Sequence, residues 1–365
     1  MINNPKRLRS VLAARFSALG DVAMTIPVLY SVCACYPDVR FTMVTRSSMT
    51  PIFINRPDNL QVVGIDLERY KGVTGLWRLF SELRRQYRFD GFVDLHDVLR
   101  TRLLRIFCHL HRIPVAVINK GRKGKRALTR GANKILLPLV SSRARYRQAF
   151  HAIGLPVESR FEGLYSHLGE KADASDFAAI TPPKRSGEHW IGIAPFAKHK
   201  GKIYPLELME KVIKEITSDP RNRIFLFGAG GYERGILAEW EEQYPGAISL
   251  ASQLYGFPAE LALMSWLDVM VSMDSANMHL ASLVATPVVS IWGATHPYCG
   301  FKGWRQGESD IIQLPMTCRP CSVFGNKPCF RGDYYCLHGI PPQLIISRVN
   351  AHLHPGENFS GASKK

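Results

Sequence analysis

The stretch from Val269 to Pro297 constrains the fold of this chain more than any other. Val269–Met273 is apolar and predicts a buried strand, and Pro287–Trp292 predicts a second one. A turn at Asp274–Asn277 and a short helix at Met278–Val284 separate the two strands. Two apolar strands joined by one helix form a βαβ unit of a parallel sheet, whose ligands gather beyond the carboxyl ends of the strands. The stretch therefore predicts an α/β fold with a binding site at those ends.

The turn after the first strand is a candidate anion site. It opens a helix, so free backbone N–H groups and the positive end of the helix dipole point toward a ligand there. Asp274 and Ser275 lie at this end, and Gly293–His296 follow the second strand. A phosphate fits such a site. The alternative is that Asp274 or Ser275 only caps the helix and that His279 is a hydrogen-bonded core residue. The pattern alone leaves both readings open.

The same stretch resembles the donor-site signature of the heptosyltransferase family, glycosyltransferase family nine. The matching pattern is Asp-Ser-x-x-Met-His-Leu-Ala, then Thr-Pro-Val-Val and Gly-x-Thr-x-Pro, and its residues are Asp274, Ser275, Met278, His279, Leu280, Ala281, Thr286, Pro287, Val288, Val289, Gly293, Thr295 and Pro297. Ala276 and Asn277 stand where the family usually has Gly-Pro, and Ala285 stands where it usually has Gly. The resemblance implies that Asp274 to His279 and Thr295 contact a nucleotide-sugar donor.

The first half of the chain alternates predicted strands and helices, which indicates a doubly wound α/β domain. The predicted strands are Val11–Arg15, Arg40–Thr45, Gln61–Ile65, Gly91–Leu95 and Val115–Ile118. After the first of them, Ser-Ala-Leu-Gly-Asp-Val-x-x-Thr-x-Pro (Ser17–Pro27) again resembles the heptosyltransferases, and the resemblance implies that Asp21 is the general base. A carboxylate at the end of a strand can take the proton of an attacking sugar hydroxyl. The alternative is that Asp21 caps a helix.

Two further stretches of the first half are candidates for acceptor binding. His96 and Arg100 follow the fourth predicted strand, where Asp97 can instead cap the next helix and His96 can be a surface residue. Asn119–Arg126 predicts a flexible basic loop in which Arg122 and Lys123 can hold acceptor phosphates or carboxylates. A run of charge is also often only solvated.

The second half begins with a predicted strand at Trp190–Ala194. Lys202 then matches the phosphate-binding lysine of the family's Lys-x-aromatic-Pro motif, a role that Lys198 and Lys200 can share. Further on, Gly228–Glu233 is a partial dinucleotide fingerprint, which is a weak signal by itself. Its glutamate, Glu233, is a candidate for binding the ribose hydroxyls.

The resemblance implies the GT-B architecture, with two Rossmann-like doubly wound domains facing each other across a cleft. We expect an acceptor-binding domain at 1–170, a linker at 171–188, a nucleotide-sugar-binding domain at 189–340, and a final helix with a disordered tail at 341–365. The second domain contains a cysteine-rich segment, 318–336. Its spacing, C-x2-C-x7-C-x6-C, can hold one structural zinc, at Cys318, Cys321, Cys329 and Cys336.

The charge of the chain points to an anionic partner. The formal net charge is +17, and no Asp or Glu occurs between Val98 and Val157. An anionic membrane surface or a phosphorylated acceptor fits, and no motif indicates specific nucleic-acid recognition. A basic surface without a specific partner is the alternative. Without a signal-peptide core or a long apolar segment, we expect a cytoplasmic protein that is peripheral at the inner membrane.

The hypothesis is an inverting, metal-independent glycosyltransferase that moves heptose or a similar sugar from an ADP-linked donor to a lipid-linked, lipopolysaccharide-type acceptor. It needs no cofactor for catalysis, and the chain has no Asp-x-Asp pair for a divalent ion. A nucleotide-sugar epimerase of the same fold is one alternative. A non-catalytic basic protein that binds nucleic acid or anionic lipid is the other.

Overall fold

The computed structural model describes residues 8–356, apart from the side chain of Leu168. The described residues divide into two compact units. The first unit contains residues 8–121 and 140–162, and the second contains residues 122–139 and 163–356. Each unit is built around one parallel β-sheet. Within residues 8–356, no helix combines the length and apolarity needed to cross a bilayer.

The strands and helices alternate along the chain. The strands are β1 (Ser10–Ala14), β2 (Arg40–Arg46), β3 (Leu60–Ile65), β4 (Gly91–Asp94), β5 (Val115–Val117), β6 (His189–Ala194), β7 (Asn222–Leu226), β8 (Ala247–Ser249), β9 (Val269–Met273), β10 (Val288–Ile291) and β11 (Ile311–Ile312). The helices are α1 (Leu19–Ala23), α2 (Ile26–Cys35), α3 (Gly72–Tyr87), α4 (Leu99–Leu110), α5 (Arg122–Leu128), α6 (Ser142–Ala152), α7 (Leu206–Ile216), α8 (Gly231–Gln243), α9 (Phe257–Met264), α10 (Ala276–Leu283), α11 (Tyr335–His338) and α12 (Pro342–Leu353).

The sheet of the first unit has the strand order β3-β2-β1-β4-β5, and every pairing is parallel. The order reverses between β1 and β4, which pair so that Ala14 lies opposite Asp94. In open parallel sheets, ligands bind at such a reversal, beyond the carboxyl ends of the strands. The residues that follow β1 and β4 therefore share the edge where a site is expected.

The sheet of the second unit has the order β11-β10-β9-β6-β7-β8, also with parallel pairings. Here the reversal lies between β6 and β9, with Ala194 opposite Ser272. On the other side of β9, Met273 lies opposite Ile291 of β10. The residues after β6, β9 and β10 therefore meet at one edge. Two doubly wound α/β units are present, as the sequence predicts.

The chain between β1 and β2 forms two helices. α1 ends at Ala23 and α2 begins at Ile26. Pro27 is the second residue of α2 and has no N–H that could bond to the preceding turn. A new helix therefore begins there instead of a continuation of α1. The Thr25 hydroxyl donates to the Val22 carbonyl at 2.6 Å and closes the break.

The division into units differs from the predicted boundaries at 170 and 188. The predicted linker belongs to the second unit, because its side chains and backbone bond to that unit. The Ala172 N–H donates to the Ser265 hydroxyl at 3.0 Å, and Lys184 forms an ion pair with Asp268 at 2.6 Å. The predicted final helix is α12, and the tail predicted after it lies, from residue 357 on, outside the described residues.

The predicted basic loop 119–126 is mostly helical, as α5, and from residue 122 it belongs to the second unit. We call residues 122–139 the returning segment. The Lys134 ammonium fixes it by donating to the carbonyl oxygens of Thr317, Cys318 and Pro320, at 3.2, 2.6 and 3.1 Å. The Leu139 N–H donates to the Tyr298 carbonyl at 2.9 Å. Arg122 and Lys123, predicted in the first domain, are thus part of the second unit.

Candidate active site

Asp21 lies beyond the carboxyl end of β1, in the first turn of α1. Its Oδ2 atom forms an ion pair with the Arg15 guanidinium at 2.7 Å and also accepts the Ala18 N–H at 3.4 Å. The N-cap residue is Ala18, so the alternative that Asp21 occupies the N-cap is wrong, although its carboxylate contacts the N-cap N–H from the third helical position. The side chain is 27% exposed, so solvent or a ligand can still reach the carboxylate.

Arg15 fixes the position of Asp21. It is 7% exposed, and its Nη1 donates to the Leu95 carbonyl at 2.6 Å. Its guanidinium lies 5.7 Å from the centre of the Tyr146 ring, and the Tyr146 hydroxyl donates to the Asp21 carbonyl at 3.2 Å. A buried arginine holds its charge and its planar geometry, so the Asp21 carboxylate is oriented from one side only.

His96 follows β4 at the same edge and is 8% exposed, so the prediction of a surface residue is wrong. Its Nδ1 accepts the Phe16 N–H at 3.3 Å, which leaves the proton on Nε2, 3.4 Å from the Ser17 hydroxyl. Burial, together with the positive charges of Arg15 and Lys120, lowers the pKa of His96 to about 3. The ring is neutral at physiological pH and cannot act there as a cation.

This neutral histidine makes the stability of the protein dependent on pH. An unfolded histidine has a pKa of about 6.5. Between pH 6.5 and 3, His96 is therefore protonated in the unfolded state but stays neutral in the folded state. The contribution to stability is complete above about pH 6.5 and is lost as the pH falls. Between pH 7 and 5, we expect the free energy of unfolding to fall by roughly 1 to 2 kcal/mol more in the wild type than in His96→Gln. Urea denaturation at both pH values measures the difference. His151→Gln, an exposed histidine, is the control and should keep the wild-type slope.

Asp94 and Asp97 organise the turn after β4. The fully buried Asp94 accepts the backbone N–H groups of His96 and Asp97 through Oδ1, at 2.8 and 2.7 Å. Arg105 lies between the two carboxylates, 3.4 Å from Asp94 and 3.3 Å from Asp97. Arg102 also pairs with Asp97, at 3.1 Å. The acidic groups of this turn are therefore neutralised by α4 and hold His96 in place.

Asp97 does not cap α4, contrary to the alternative reading. The N-cap residue is Val98, whose N–H donates to the Thr101 hydroxyl at 3.0 Å. Arg100 is exposed in the first turn of α4. Arg122 and Lys123 are exposed on α5. The acceptor contacts of Arg100, Arg122 and Lys123 stay predictions.

In the second unit, Asp274, Lys202 and Thr295 form one cluster at the edge where β6, β9 and β10 end. The Asp274 Oδ2 atom lies 2.9 Å from the Lys202 ammonium and accepts the Thr295 hydroxyl at 2.8 Å. Asp274 and Thr295 are buried, and the Lys202 side chain is 16% exposed. Three residues that are distant in sequence thus meet at the predicted site. Lys198 and Lys200 are exposed and lie outside this contact.

The N-terminus of α10 adjoins this cluster. Its N-cap residue is Ser275, whose side chain makes no capping bond and lies 3.3 Å from the Ser272 hydroxyl instead. Because the Ser275 side chain makes no capping hydrogen bond, the N–H groups of Ala276 and Asn277 keep their capacity to bind an anion. Met278 is fully buried and can reach a ligand only through its backbone. His279 is also buried, at 6% exposure, which fits the core reading.

Ala285 lies in the turn between α10 and β10 with φ at +63°, in the left-handed region that favours glycine. This conformation explains why the family usually has glycine at this position. Alanine there costs about 1 kcal/mol relative to an ordinary backbone conformation.

Glu233 lies in the first turn of α8, and its Oε2 accepts the Ala229 N–H at 2.6 Å. The carboxylate therefore closes the glycine-rich loop after β7. Contact with ribose hydroxyls stays a prediction.

The cysteine-rich segment does not support the predicted zinc. All four cysteines are free, and within residues 8–356 no three His, Cys, Asp or Glu side chains are arranged to hold a metal ion. The segment instead packs on the loop after β10. Arg319 donates to the carbonyl oxygens of Gly293 and Thr295, and the Cys321 N–H donates to Ala294 at 3.1 Å. The segment therefore supports the loop that carries Thr295. Spacing alone suggests ligands but does not show where the sulfur atoms point.

Sequence reasoning did not single out Arg319, Arg15 or Tyr146. The sequence does contain one signal for Arg15, because a charged residue at the end of an apolar strand is unusual. Tyr146 and Arg319 act across more than 20 residues of sequence, and no local pattern marks them.

Residues 76–327, more than half of the chain, match the sequence model of glycosyltransferase family 9 (heptosyltransferase). The chain belongs to glycosyltransferase family 9. It is therefore a glycosyltransferase that uses a nucleotide sugar, and this assignment favours transfer over both the epimerase and the binding-protein alternatives.

Curated relatives align with this family 9 member over almost its whole length. It is 21% identical over 349 residues to lipooligosaccharide heptosyltransferase 2 of Campylobacter jejuni, covering 92% of this chain and 97% of that protein. It is 25% identical over 368 aligned positions to lipopolysaccharide heptosyltransferase 1 of Pseudomonas aeruginosa, covering 94% and 98%.

Solved structures show the shared fold. A family 9 glycosyltransferase of Veillonella parvula has a TM-score of 0.71 at 14% identity, covering 96% of this chain and 99% of that one. The E. coli heptosyltransferase WaaC with ADP has a TM-score of 0.62 at 16% identity, covering 94% and 99%. The predicted GT-B fold class is confirmed.

Proposed function

We propose that this family 9 glycosyltransferase moves heptose or a similar sugar from an ADP-linked donor to a lipid-linked, lipopolysaccharide-type saccharide at the inner face of the membrane. The match to the heptosyltransferase model carries the proposal. The names of the relatives support the acceptor class, and the ADP in the E. coli structure supports the nucleotide.

The second unit binds the donor diphosphate. An ammonium group has three protons, and Asp274 uses one on Lys202, so two remain for phosphate oxygens. The first-turn N–H groups of α10 add further donors without a net charge of their own. Asp274 repels phosphate much less than a free carboxylate would, because Lys202 and Thr295 both bind it. Its role is to position Lys202.

The same groups stabilise the leaving nucleoside diphosphate as it gains charge in the transition state. Since Lys202 and the N-terminus of α10 supply the positive charge, the reaction proceeds without a divalent metal. A chelator should therefore leave turnover unchanged. Loss of turnover with an intact fold, and its recovery on adding Mg²⁺, would contradict this part.

The first unit supplies the base. Asp21 takes the proton of an acceptor hydroxyl, whose oxygen forms a bond to the anomeric carbon as the bond from that carbon to the diphosphate breaks. Attack from the side opposite the diphosphate inverts the anomeric configuration. Arg15 holds one oxygen of Asp21 and leaves the other for the acceptor. His96, Arg100, Arg122 and Lys123 are the proposed acceptor contacts, and Glu233 the proposed ribose contact.

A direct assay tests the proposal. We expect ADP to raise the melting temperature of the purified protein more than UDP or GDP, because a ligand that binds only the folded state stabilises it. We also expect transfer from ADP-heptose to extracted lipopolysaccharide core lacking terminal heptose. Free sugar and nucleotide formed without an acceptor, or stabilisation by UDP alone, would contradict it.

A further inference from the structure

Helix α4 carries an apolar stripe on its outer face as well as on its inner face. Leu99, Ile106 and Leu110 are 75%, 51% and 71% exposed, and Leu103 between them is half-buried. Their spacing of four, three and four residues places all four on one side of the helix. The opposite side packs Leu104 and Phe107 into the core of the unit. Folding thus leaves an outward row of large apolar side chains, which water solvates poorly.

Helix α3 extends this apolar surface. Val73 and Trp77, one turn apart, are 58% and 42% exposed. The Trp77 ring packs edge-on against Phe107 of α4, with ring centroids 5.0 Å apart. We call these six exposed or half-exposed residues of the two helices the α3–α4 surface. Its members are Val73, Trp77, Leu99, Leu103, Ile106 and Leu110.

An arginine-lined groove adjoins the α3–α4 surface. The groove has a volume of about 550 Å³, and Arg84, Arg85 and Arg88 line it beside His111 and Phe80. His111 joins the two features, because its ring packs on Phe80 at 5.1 Å and on Trp77 at 5.6 Å. The three arginines are exposed and form no ion pair within residues 8–356. The groove therefore presents unneutralised positive charge to an anion.

We propose that the α3–α4 surface docks on an anionic lipid bilayer, with its apolar side chains in the lipid and a lipid phosphate in the arginine groove. Amphipathic elements that combine large apolar and tryptophan side chains with cationic ones bind in this way. Charge favours a bilayer over a second copy of this basic chain, because the formal net charge is +17 and the exposed Arg84, Arg85 and Arg88 lie beside the surface. The inference rests on the proposed function only in that a lipid-linked acceptor gives docking a purpose.

The orientation of α4 relates this surface to the reaction. Leu99 begins the helix at the edge of the sheet that holds His96 and Asp21, whereas the groove lies beside Phe89, just before β4 begins. The stripe thus runs along the flank of the unit from its active edge to the opposite edge. Docking through the stripe keeps the active edge near the headgroups, where a lipid-linked saccharide begins.

Vesicle sedimentation with the full-length protein tests the inference. We expect the wild type to sediment with vesicles that contain phosphatidylglycerol, to bind phosphatidylcholine vesicles at least about tenfold more weakly, and to lose binding in high salt. Arg84→Gln with Arg85→Gln should weaken binding about 30-fold, at roughly fivefold for each charge near an anionic surface. Ile106→Ser with Leu110→Ser should weaken it at least about tenfold, because two apolar side chains no longer enter the lipid.

Matched controls separate these effects from general changes. Lys211→Gln with Lys214→Gln removes the same charge from α7, and Leu254→Ser removes a side chain that is 96% exposed; both should bind as the wild type does. Equal binding to both kinds of vesicle, or equal loss in variants and controls, would overturn the inference. So would a wild-type dimer that Ile106→Ser with Leu110→Ser converts to monomer, because the stripe would then be a protein interface.

Activity on a delipidated acceptor keeps this inference separate from the proposed function. None of the four substituted residues lies at either site, so transfer to a water-soluble acceptor should be unchanged in both double variants. If the wild type transfers no sugar but binds vesicles as described, the proposed function fails and the docking surface stands. If transfer proceeds but vesicle binding is absent, the reverse holds.

Discussion

Replacing Asp21 with asparagine should lower the kcat of sugar transfer by roughly 10²- to 10⁴-fold, the range that removal of a positioned general base produces. The asparagine amide is close in shape to the carboxylate but cannot take the proton of the acceptor hydroxyl. Asp21 lies in the first unit and the residues proposed to bind the diphosphate lie in the second, so the Kd for ADP should change by less than about twofold. Steady-state kinetics and calorimetric titration with ADP measure the two effects.

The asparagine also leaves Arg15 without its ion-pair partner, so the fold needs its own check. Arg15 keeps its bond to the Leu95 carbonyl, and the circular dichroism spectrum should be that of the wild type. If Asp21→Asn does not fold, Asp21→Glu retains the charge while moving the carboxylate by one methylene, and kcat should still fall. Asp58→Asn, an exposed aspartate of the same unit, should be fully active. Turnover of Asp21→Asn within threefold of the wild type would show that another group is the base.

Replacing Lys202 with methionine should have the largest effect on stability. Asp274 is buried, and without the ammonium at 2.9 Å the Thr295 hydroxyl is the one side-chain partner of its carboxylate left among residues 8–356. Removing one partner of a buried ion pair costs about 3 kcal/mol or more of unfolding free energy. The Kd for ADP should rise at least about tenfold as well, because charge-assisted bonds to the diphosphate are lost. Urea denaturation and calorimetric titration measure both quantities.

A second substitution separates the two consequences. Adding Asp274→Asn to Lys202→Met removes the unpaired charge, so most of the lost stability should return while ADP binding stays weak. Lys198→Met is the matched control in the same loop and should change neither quantity, because Lys198 is exposed and outside the cluster. An equal loss of ADP binding in Lys198→Met would assign the phosphate contact to the loop as a whole rather than to Lys202.

The sequence predicts the sheets well because buried parallel strands are marked locally. β9 has the predicted bounds, Val269–Met273. The ends of β1, β2 and β6 lie within a residue or two of the ends predicted for each strand. Once the strands are known, parallel order brings Asp21 and His96 to one edge and Lys202, Asp274 and Thr295 to another. The resemblance to family nine indicates which of these residues belong to one site. In the structure, contacts of 2.9 and 2.8 Å join Asp274 to Lys202 and to Thr295.

The rest of the fold and site depends on contacts that local patterns do not contain. Lys134 bonds to carbonyl oxygens more than 180 residues away, and nothing near it in sequence differs from an ordinary basic loop. Arg15 holds Asp21 although the strand pattern only shows a charge at its end. The predicted zinc site is not supported for a related reason, since cysteine spacing carries no information on how the side chains are arranged, and within residues 8–356 no three potential ligands surround a metal position.

The returning segment also determines when parts of the protein can fold during synthesis. The chain passes from the first unit to the second at residue 121, back at 139 and over again at 162. When residues 122–139 leave the ribosome, the groups that Lys134 and Leu139 bond to, between Tyr298 and Pro320, have not been made. The first sheet can form early, but a cationic, apolar length of chain stays unpaired until nearly the whole protein is translated. Truncation before residue 320 should therefore leave residues 122–139 without their bonding partners. We expect a chaperone to bind this exposed segment.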